Sequence, residues 1–236
     1  MLDNIAPNRH AVHPFDLNYG TDTGGYLRPD EIREGAINDA MSNGYSAVAP
    51  SVFREACQRW RETLPTSAGR VEAYTFVDVG AGKGRCLLLA AELPFRKVIG
   101  VELNSDLAFI AQRNVAHWKR LARAYSTIRV LQEDAMQFRW PRPPLLVFLN
   151  NPFECTLVKR LAEKLANLAT QGPSLIDLIY VNPGCSDTLI RSGVFQPQWD
   201  TPIQMDEADR RADPYGATSD RVAAFRYVVN ENEKFS

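Results

Sequence analysis

The sequence contains few of the side chains that hold metals or cross-link small domains. It has three histidines in 236 residues, and its four cysteines show no Cys-x-x-Cys spacing. Those cysteines are Cys57, Cys86, Cys155 and Cys185. We expect them to be reduced, buried thiols, with neither a disulfide framework nor a zinc site. The spacing of His10 and His13 suits a metal ion, but no Cys, Asp or Glu cluster completes a site, so we expect no bound metal.

Long apolar runs and an excess of one charge are also absent. The start of the chain, MLDNIAPNRHAVHPFD, has no apolar stretch of signal-peptide length. No window reaches the roughly 18 apolar residues of a membrane helix. The formal net charge is -1, whereas general nucleic-acid binding needs a basic face. We therefore expect a soluble, cytoplasmic protein with neither a membrane nor a nucleic acid as partner.

From Ser51 onwards the sequence alternates between helical and strand patterns. Apolar residues at helical spacing predict a helix that starts at Ser51 and another that starts near Ser105. Further helices are predicted at 83–93 and 156–168. Short apolar runs predict five strands, at 75–79, 98–103, 128–131, 145–149 and 175–181. Strands that alternate with helices imply a parallel sheet covered on both faces, and residues 194–200 and 222–229 predict an antiparallel hairpin at its edge.

A glycine-rich loop follows the first of these strands. The stretch Asp78-x-Gly80-x-Gly82-x-Gly84 joins a strand to a helix, which is the context that a nucleotide-binding loop needs. Glycines let the backbone turn sharply and approach a ligand closely. A P-loop is excluded because no Ser or Thr follows the Gly-Lys pair. A dinucleotide loop needs Gly-x-Gly-x-x-Gly, and Arg85 stands where its third glycine belongs.

This motif resembles the first motif of the class I S-adenosylmethionine-dependent methyltransferases, and the resemblance extends from residue 75 to about residue 183. The resemblance implies that S-adenosylmethionine is the cofactor. It also implies that Gly80, Gly82 and Gly84 support the methionine part of the cofactor, and that Asp78 helps to hold the ammonium group.

Two further acids occupy the family's positions at strand ends. The resemblance implies that Glu102, after the second strand, binds both ribose hydroxyls through charge-assisted hydrogen bonds. It implies that Asp134, after the third strand, meets the adenine amino group, while the backbone N–H of Ala135 faces the adenine ring.

The fourth strand runs into Asn150-Asn151-Pro152-Phe153. This resembles the Asp/Asn-Pro-Pro-Tyr/Phe motif of amino-group methyltransferases, with asparagine in place of the first proline. It is also similar to the paired-asparagine motif of the non-SET lysine methyltransferases. The resemblance implies that Asn150 and Asn151 orient a nitrogen acceptor and that Phe153 packs against it. The two asparagines also suit a cap at a strand-to-helix turn, so both interpretations stay open.

The segment FDLNYGTDTGGYLRPDEI, residues 15–32, is dense in Gly, Asp, Thr and Tyr. It resembles the N-terminal segment of bacterial methyltransferases with this core, which commonly folds over the cofactor. The resemblance implies lid contacts from Tyr19, Asp22 and Thr23. A disordered tail is the alternative.

Together these patterns predict an α/β fold: a Rossmann-like, doubly wound, seven-stranded sheet with an antiparallel edge hairpin and a helical N-terminal lid. Residues 1–70 form the lid and its helix, and residues 71–236 form the core, within one structural domain. We predict a methyltransferase that acts on a nitrogen of a protein side chain or a small molecule, since a hydroxyl acceptor usually needs a base such as His. An NAD-dependent oxidoreductase and a non-catalytic binding domain are the alternatives.

Overall fold

The computed structural model describes residues 12–35, 38–65, 70–170 and 175–228. The helices are α1 (Pro14–Tyr19), α2 (Pro29–Ile32), α3 (Pro50–Glu62), α4 (Arg85–Ala90), α5 (Ser105–Arg120), α6 (Cys155–Ala169), α7 (Ser186–Arg191) and α8 (Glu207–Ala212). The strands are β1 (Tyr26–Leu27), β2 (Tyr45–Ser46), β3 (Thr75–Val79), β4 (Lys97–Glu102), β5 (Ile128–Gln132), β6 (Leu145–Asn150), β7 (Ile176–Val181), β8 (Phe195–Gln204) and β9 (Ser219–Tyr227). Among the helices of these described ranges, none is long and apolar enough to cross a membrane.

Seven strands form one sheet in the order β5-β4-β3-β6-β7-β9-β8. The first five of these run parallel, β9 is antiparallel to β7, and β8 is antiparallel to β9. The predicted fold class is therefore confirmed. The strand order reverses at β3, from which the chain passes first to β4 and later to β6. In such sheets, ligands bind beyond the carboxyl ends of the strands at this switch point.

Helices cover both faces of the sheet because the central strands are apolar on both sides. Every residue of β3 and β7 is buried, as are the first five of β6. Phe76 and Phe148 face one core, which they share with Phe53 of α3. Val77 and Val147 face the opposite core, which α6 covers. Because both faces of these parallel strands are buried, their sequences are continuous apolar runs.

Several predicted boundaries differ from the observed ones. Helix α4 starts at Arg85, later than predicted, because Gly84 has a left-handed φ of 88° and lies outside the helix. Helix α5 starts at Ser105 as predicted, and Asn104 caps it, since its side-chain oxygen accepts a hydrogen bond from the Leu107 amide at 2.8 Å. The short helices α7 and α8 were not predicted. The predicted end of the last strand, at residue 229, lies outside the described residues.

The expectation that all four cysteines are reduced is wrong for two of them. Cys155 and Cys185 form a disulfide, while Cys57 and Cys86 are buried free thiols. Cys155 begins the helix after β6, and Cys185 lies in the turn after β7. Because β6 and β7 are parallel neighbours, these turns meet at one edge of the sheet, although 30 residues separate the two cysteines in sequence.

Residues 12–35 and 38–48, which we call the N-terminal segment, fold back onto the core rather than trailing away as a loop. Arg85, which is buried, holds it in place. The guanidinium donates hydrogen bonds to Thr23 Oγ1 at 2.8 Å and to the Val48 carbonyl at 3.3 Å, and it lies 3.4 Å from the Asp16 carboxylate. We call the described residues between 23 and 48 the strap. The strap contains β1, α2 and β2 and passes across the carboxyl ends of the core strands.

We predict that Arg85→Met lowers the free energy of unfolding by about 3–5 kcal/mol, because it leaves the Asp16 carboxylate buried without its counter-charge. Urea denaturation measures this loss. Arg113→Met is the matched control: Arg113 is exposed on α5, and its loss should change stability by less than about 0.5 kcal/mol. Equal effects of the two substitutions would show that the buried pair does not hold the N-terminal segment.

Candidate functional site

A pocket lies at the carboxyl ends of β3, β4 and β6, beneath the strap. About 850 Å³ of space lies between its lining atoms when the open mouth is counted. The strap forms one wall of this pocket. Eight of the residues predicted from the sequence line it: Asp78, Gly80, Gly82, Glu102, Asp134, Ala135, Asn150 and Phe153.

The glycine loop forms the floor of the pocket. Gly82 has a left-handed φ of 52°, and a Cβ at this position would lie 2.2 Å from the ring of Tyr45 in the strap. A Cβ at Gly80 would lie 2.8 Å from Pro152. Only glycine allows these approaches. Gly84 has a different position: it is outside the pocket lining and faces Ala111 of α5, so its role is to let α4 and α5 pack closely.

Glu102 is held by the same loop that it faces. Its carboxylate accepts hydrogen bonds from the amides of Gly82, at 2.7 Å, and Asn104, at 2.9 Å. Burial raises the pKa of Glu102 above its usual value, and these two amides oppose that shift. The backbone thus fixes the direction of a carboxylate at the rim of a parallel sheet, where it can accept hydrogen bonds from vicinal hydroxyls.

Asp78 lies deeper, at the end of β3, and is 3% exposed. Burial, followed by the nearby charge of Glu102, raises its pKa from 3.8 to about 8. A buried carboxyl with this pKa keeps its proton at neutral pH unless a cation lies beside it.

Asp134 already has a partner from the strap. Its carboxylate accepts a hydrogen bond from the side-chain amide of Asn38 at 2.7 Å and another from the Met136 backbone amide at 2.8 Å. Asn38 is buried, so this contact closes the strap over the β5 side of the pocket. The sequence carries no signal for Asn38, because it stands 96 residues away from Asp134 and outside any motif.

The strap is also fastened at the opposite rim. The Asn43 side chain donates a hydrogen bond to the Asn151 carbonyl at 2.7 Å, and the Asn43 amide donates one to the Pro152 carbonyl at 3.0 Å. Between the two rims, Tyr45 lies over Gly82 and donates its hydroxyl hydrogen bond to the Thr23 carbonyl at 2.7 Å. The strap therefore forms a roof over the glycine loop.

The side chains of the three predicted acceptor-site residues do not all point into the pocket. Asn150 lines the pocket, and its amide nitrogen donates a hydrogen bond to the Ser46 carbonyl at 2.8 Å. Asn151 has a left-handed φ of 42°, and its side-chain oxygen accepts a hydrogen bond from the Tyr180 hydroxyl at 3.1 Å, outside the pocket lining. Phe153 lines the pocket and is bridged to Ser42 of the strap.

The three predicted lid residues lie behind the glycine loop rather than in the pocket. Tyr19 packs edge-on against Trp118, with ring centroids 5.1 Å apart. Asp22 pairs with Lys83 at 2.8 Å, and Thr23 is fully buried. The reason for this correction is that α1 docks on α5 and so carries Tyr19, Asp22 and Thr23 away from the strand ends. The strap contributes Asn38 and Tyr45 to the pocket lining instead.

The histidine near the start of the described chain has a structural partner. His13 caps α1 by accepting a hydrogen bond from the Phe15 amide at 3.0 Å, and its other ring nitrogen lies 3.3 Å from Asp209. His10 lies outside the described residues. Within the described ranges, no three His, Cys, Asp or Glu side chains come together as a candidate metal site.

Asp78 should make stability depend on pH. Between its ordinary pKa of 3.8 and its folded pKa of about 8, the native state holds a proton that the unfolded state has lost. The free energy of unfolding should therefore fall as pH rises through this window, by up to about 1.4 kcal/mol per pH unit. We predict a flatter profile for Asp78→Asn and an unchanged one for Asp106→Asn, which alters an exposed carboxyl on α5. Urea denaturation at pH 5.5, 6.5 and 7.5 measures these slopes, and an Asp78→Asn slope equal to that of the wild type would contradict the assignment.

Neither a scan against protein-family models nor a search of curated proteins found a match to this chain. Solved structures do match. The cyclase SpnF is 12% identical and superposes with a TM-score of 0.50 over 77% of this chain and 81% of its own. The magnesium protoporphyrin IX methyltransferase of Synechocystis PCC 6803, solved with bound S-adenosylmethionine, is 11% identical and gives 0.49 over 75% of this chain and 79% of its own. At these identities the likeness concerns the fold alone, which is a mixed, seven-stranded Rossmann-like sheet.

Proposed function

We propose that this protein is an S-adenosylmethionine-dependent methyltransferase that acts on a nitrogen. The observation that carries the proposal is the convergence of Gly80, Gly82, Glu102 and Asp134 in one pocket at the switch point of the sheet. The glycine loop, Glu102 and Asp134 are separated in sequence, and each matches the chemistry of a different part of that cofactor. If the glycine loop were only a tight turn that binds no ligand, the carboxylates of Glu102 and Asp134 would have no reason to face the same pocket.

The side chains present fit the groups of the cofactor. Glu102 can accept two ribose hydroxyls, because the Gly82 and Asn104 amides already fix its direction. Asp134 suits the adenine amino group, and Asp78, which is buried and electrically unpaired, suits the ammonium group. When bound, S-adenosylmethionine supplies a methyl group on an activated sulfonium.

The contribution of the chain to such a reaction is mainly positional. The strap covers Gly82 through Tyr45, and the Asn150 side chain lines the pocket. Alignment of this kind lowers the barrier without a strong base, since a neutral amine is already a nucleophile. Protein side chains and small molecules are both candidate acceptors.

A second candidate function is a domain that binds the cofactor without methyl transfer. Two contacts favour it: the Asn150 amide nitrogen is occupied by Ser46, and the Asn151 side chain is turned towards Tyr180. Formation of S-adenosylhomocysteine with any acceptor separates the two functions. An NAD-dependent oxidoreductase is disfavoured, because Arg85 fills the position of the third glycine.

The cytoplasmic location expected from the sequence stays a prediction. The disulfide between Cys155 and Cys185 weighs against it, because most cytosolic disulfides are transient.

Cofactor binding tests the proposal directly. We expect calorimetry to show binding of S-adenosylmethionine and no comparable binding of NAD. Glu102→Gln should weaken the affinity for S-adenosylmethionine roughly 30-fold, about 2 kcal/mol, because it removes the charge from the ribose acceptor and keeps its shape. Glu163→Gln, an exposed change on α6, is the matched control and should have no effect. Tighter binding of NAD, or equal affinities for the two variants, would contradict the assignment.

Asn150 should matter for turnover rather than for cofactor affinity. We predict that Asn150→Ala lowers the single-turnover rate at saturating cofactor roughly 100-fold, because it removes a group that aligns the acceptor. Asn43→Ala is the matched control, since it also removes one hydrogen bond between the strap and the strand ends. If the two variants lose rate equally, Asn150 acts only by fastening the strap.

A further inference from the structure

A second cleft lies on the other side of the strap from the cofactor pocket. Three parts of the chain form its walls: the strap, the carboxyl ends of β6 and β7, and the connection between β8 and β9. The space between its lining atoms is about 840 Å³ with the open side counted. No motif in the sequence indicates this cleft, because its walls meet only in the folded chain.

Two tyrosines form an aromatic corner of the cleft. Tyr26 of β1 and Tyr215 of the β8–β9 connection pack edge to face, with ring centroids 5.3 Å apart and an interplanar angle of 74°. In this arrangement the two rings meet at a steep angle rather than lying parallel. Ring faces attract ammonium groups through their quadrupole, with an energy of about 0.5–2 kcal/mol.

Two carboxylates give the cleft a negative charge. Asp213 accepts hydrogen bonds from the amides of Tyr215, at 2.9 Å, and Ala217, at 2.8 Å. Asp220 accepts one from the Asn182 side chain at 3.0 Å. Among the described residues that line the cleft, none is Lys, Arg or His. The part of the lining that the structure describes therefore carries two acids and amide groups but no basic side chain.

The cleft and the cofactor pocket share a wall. Asn43, Gly44, Ser46 and Asn150 line both spaces, so Asn150 lies at the partition between them. A molecule in the cleft is thus separated from the cofactor pocket by one layer of chain. Methyl transfer needs direct contact between donor and acceptor, so an acceptor held in the cleft reacts only when the strap segment that forms this wall moves aside.

We propose that this cleft binds an alkylammonium group, which the lysine side chain and simple primary amines share; as an acceptor subsite, the assignment rests on the proposed methyltransferase function, and the ammonium gives one proton to a cleft carboxylate or to solvent before its nitrogen takes the methyl group. Asp213 and Asp220 supply the counter-charge, and Tyr26 and Tyr215 contact the alkyl chain and the cation. An anionic acceptor does not match this lining.

Direct binding, without turnover, tests the assignment. The probe is butylammonium chloride, followed by ligand-observed NMR or calorimetry on the full chain, with and without S-adenosylhomocysteine. We expect butylammonium to bind and both 1-butanol and sodium butyrate to fail. Asp220→Asn, which retains an acceptor for Asn182, and Tyr215→Leu should each weaken binding about tenfold. Glu163→Gln is the matched surface control and should have no effect.

A short peptide with one lysine and its Nε-acetylated form distinguish a protein acceptor from a small molecule. Binding of the peptide, but not of its acetylated form, indicates a protein lysine; binding of butylammonium alone indicates a small amine.

Equal binding of butylammonium and butyrate, or full retention of binding in both variants, overturns the proposal. Separate titrations with S-adenosylmethionine and with butylammonium test the methyltransferase function and the amine site independently. Absence of S-adenosylmethionine binding with retained butylammonium binding overturns the methyltransferase function, and the reverse result overturns the amine site.

Discussion

The buried ion pair between Arg85 and Asp16 is the interaction on which the roofed form of the site depends. Arg85 directly follows the glycine loop, so the residue that holds the N-terminal segment stands beside the floor of the pocket. Burying two charges is costly, and hydrogen bonds to Thr23 and Val48 engage the other two guanidinium nitrogens. The same residue that disrupts a dinucleotide-binding loop therefore anchors the strap above it.

The strap divides the functional end of the sheet into two spaces with different chemistry. On one side, the glycine loop, Glu102 and Asp134 offer backbone approach and hydrogen-bond acceptors. On the other side, aromatic rings and two acids line an open cleft. Because Asn38 and Asn43 fasten the strap at opposite rims, one segment shapes both spaces at once. Any movement of the strap must alter them together.

The parts of the site that the sequence predicts are those set by local structure. Glu102 and Asp134 lie at the ends of strands. In a parallel sheet the carboxyl ends of the strands meet at one edge, independently of how the other segments pack. Asn38 and Tyr45 reach the pocket only through docking of the strap, which depends on a buried charge pair that no periodicity reveals. The resemblance of residues 15–32 implies a lid contact from Tyr19, but neither that resemblance nor a density of polar residues shows which way a segment turns. The Cys155–Cys185 pairing likewise follows from strand adjacency rather than from cysteine spacing.

The burial of Asp78 has a consequence for the charge of the pocket. Two carboxyl groups, Asp78 and Glu102, share a region from which water is largely removed, and they repel each other when both are ionised. Asp78 avoids this by keeping a proton. A cation that binds beside Asp78 replaces that proton, so the pocket exchanges one positive charge for another and its net charge stays nearly constant. Occupation of the site is then a proton–cation exchange, in which the protein releases acid to the solvent as it takes up a positively charged ligand.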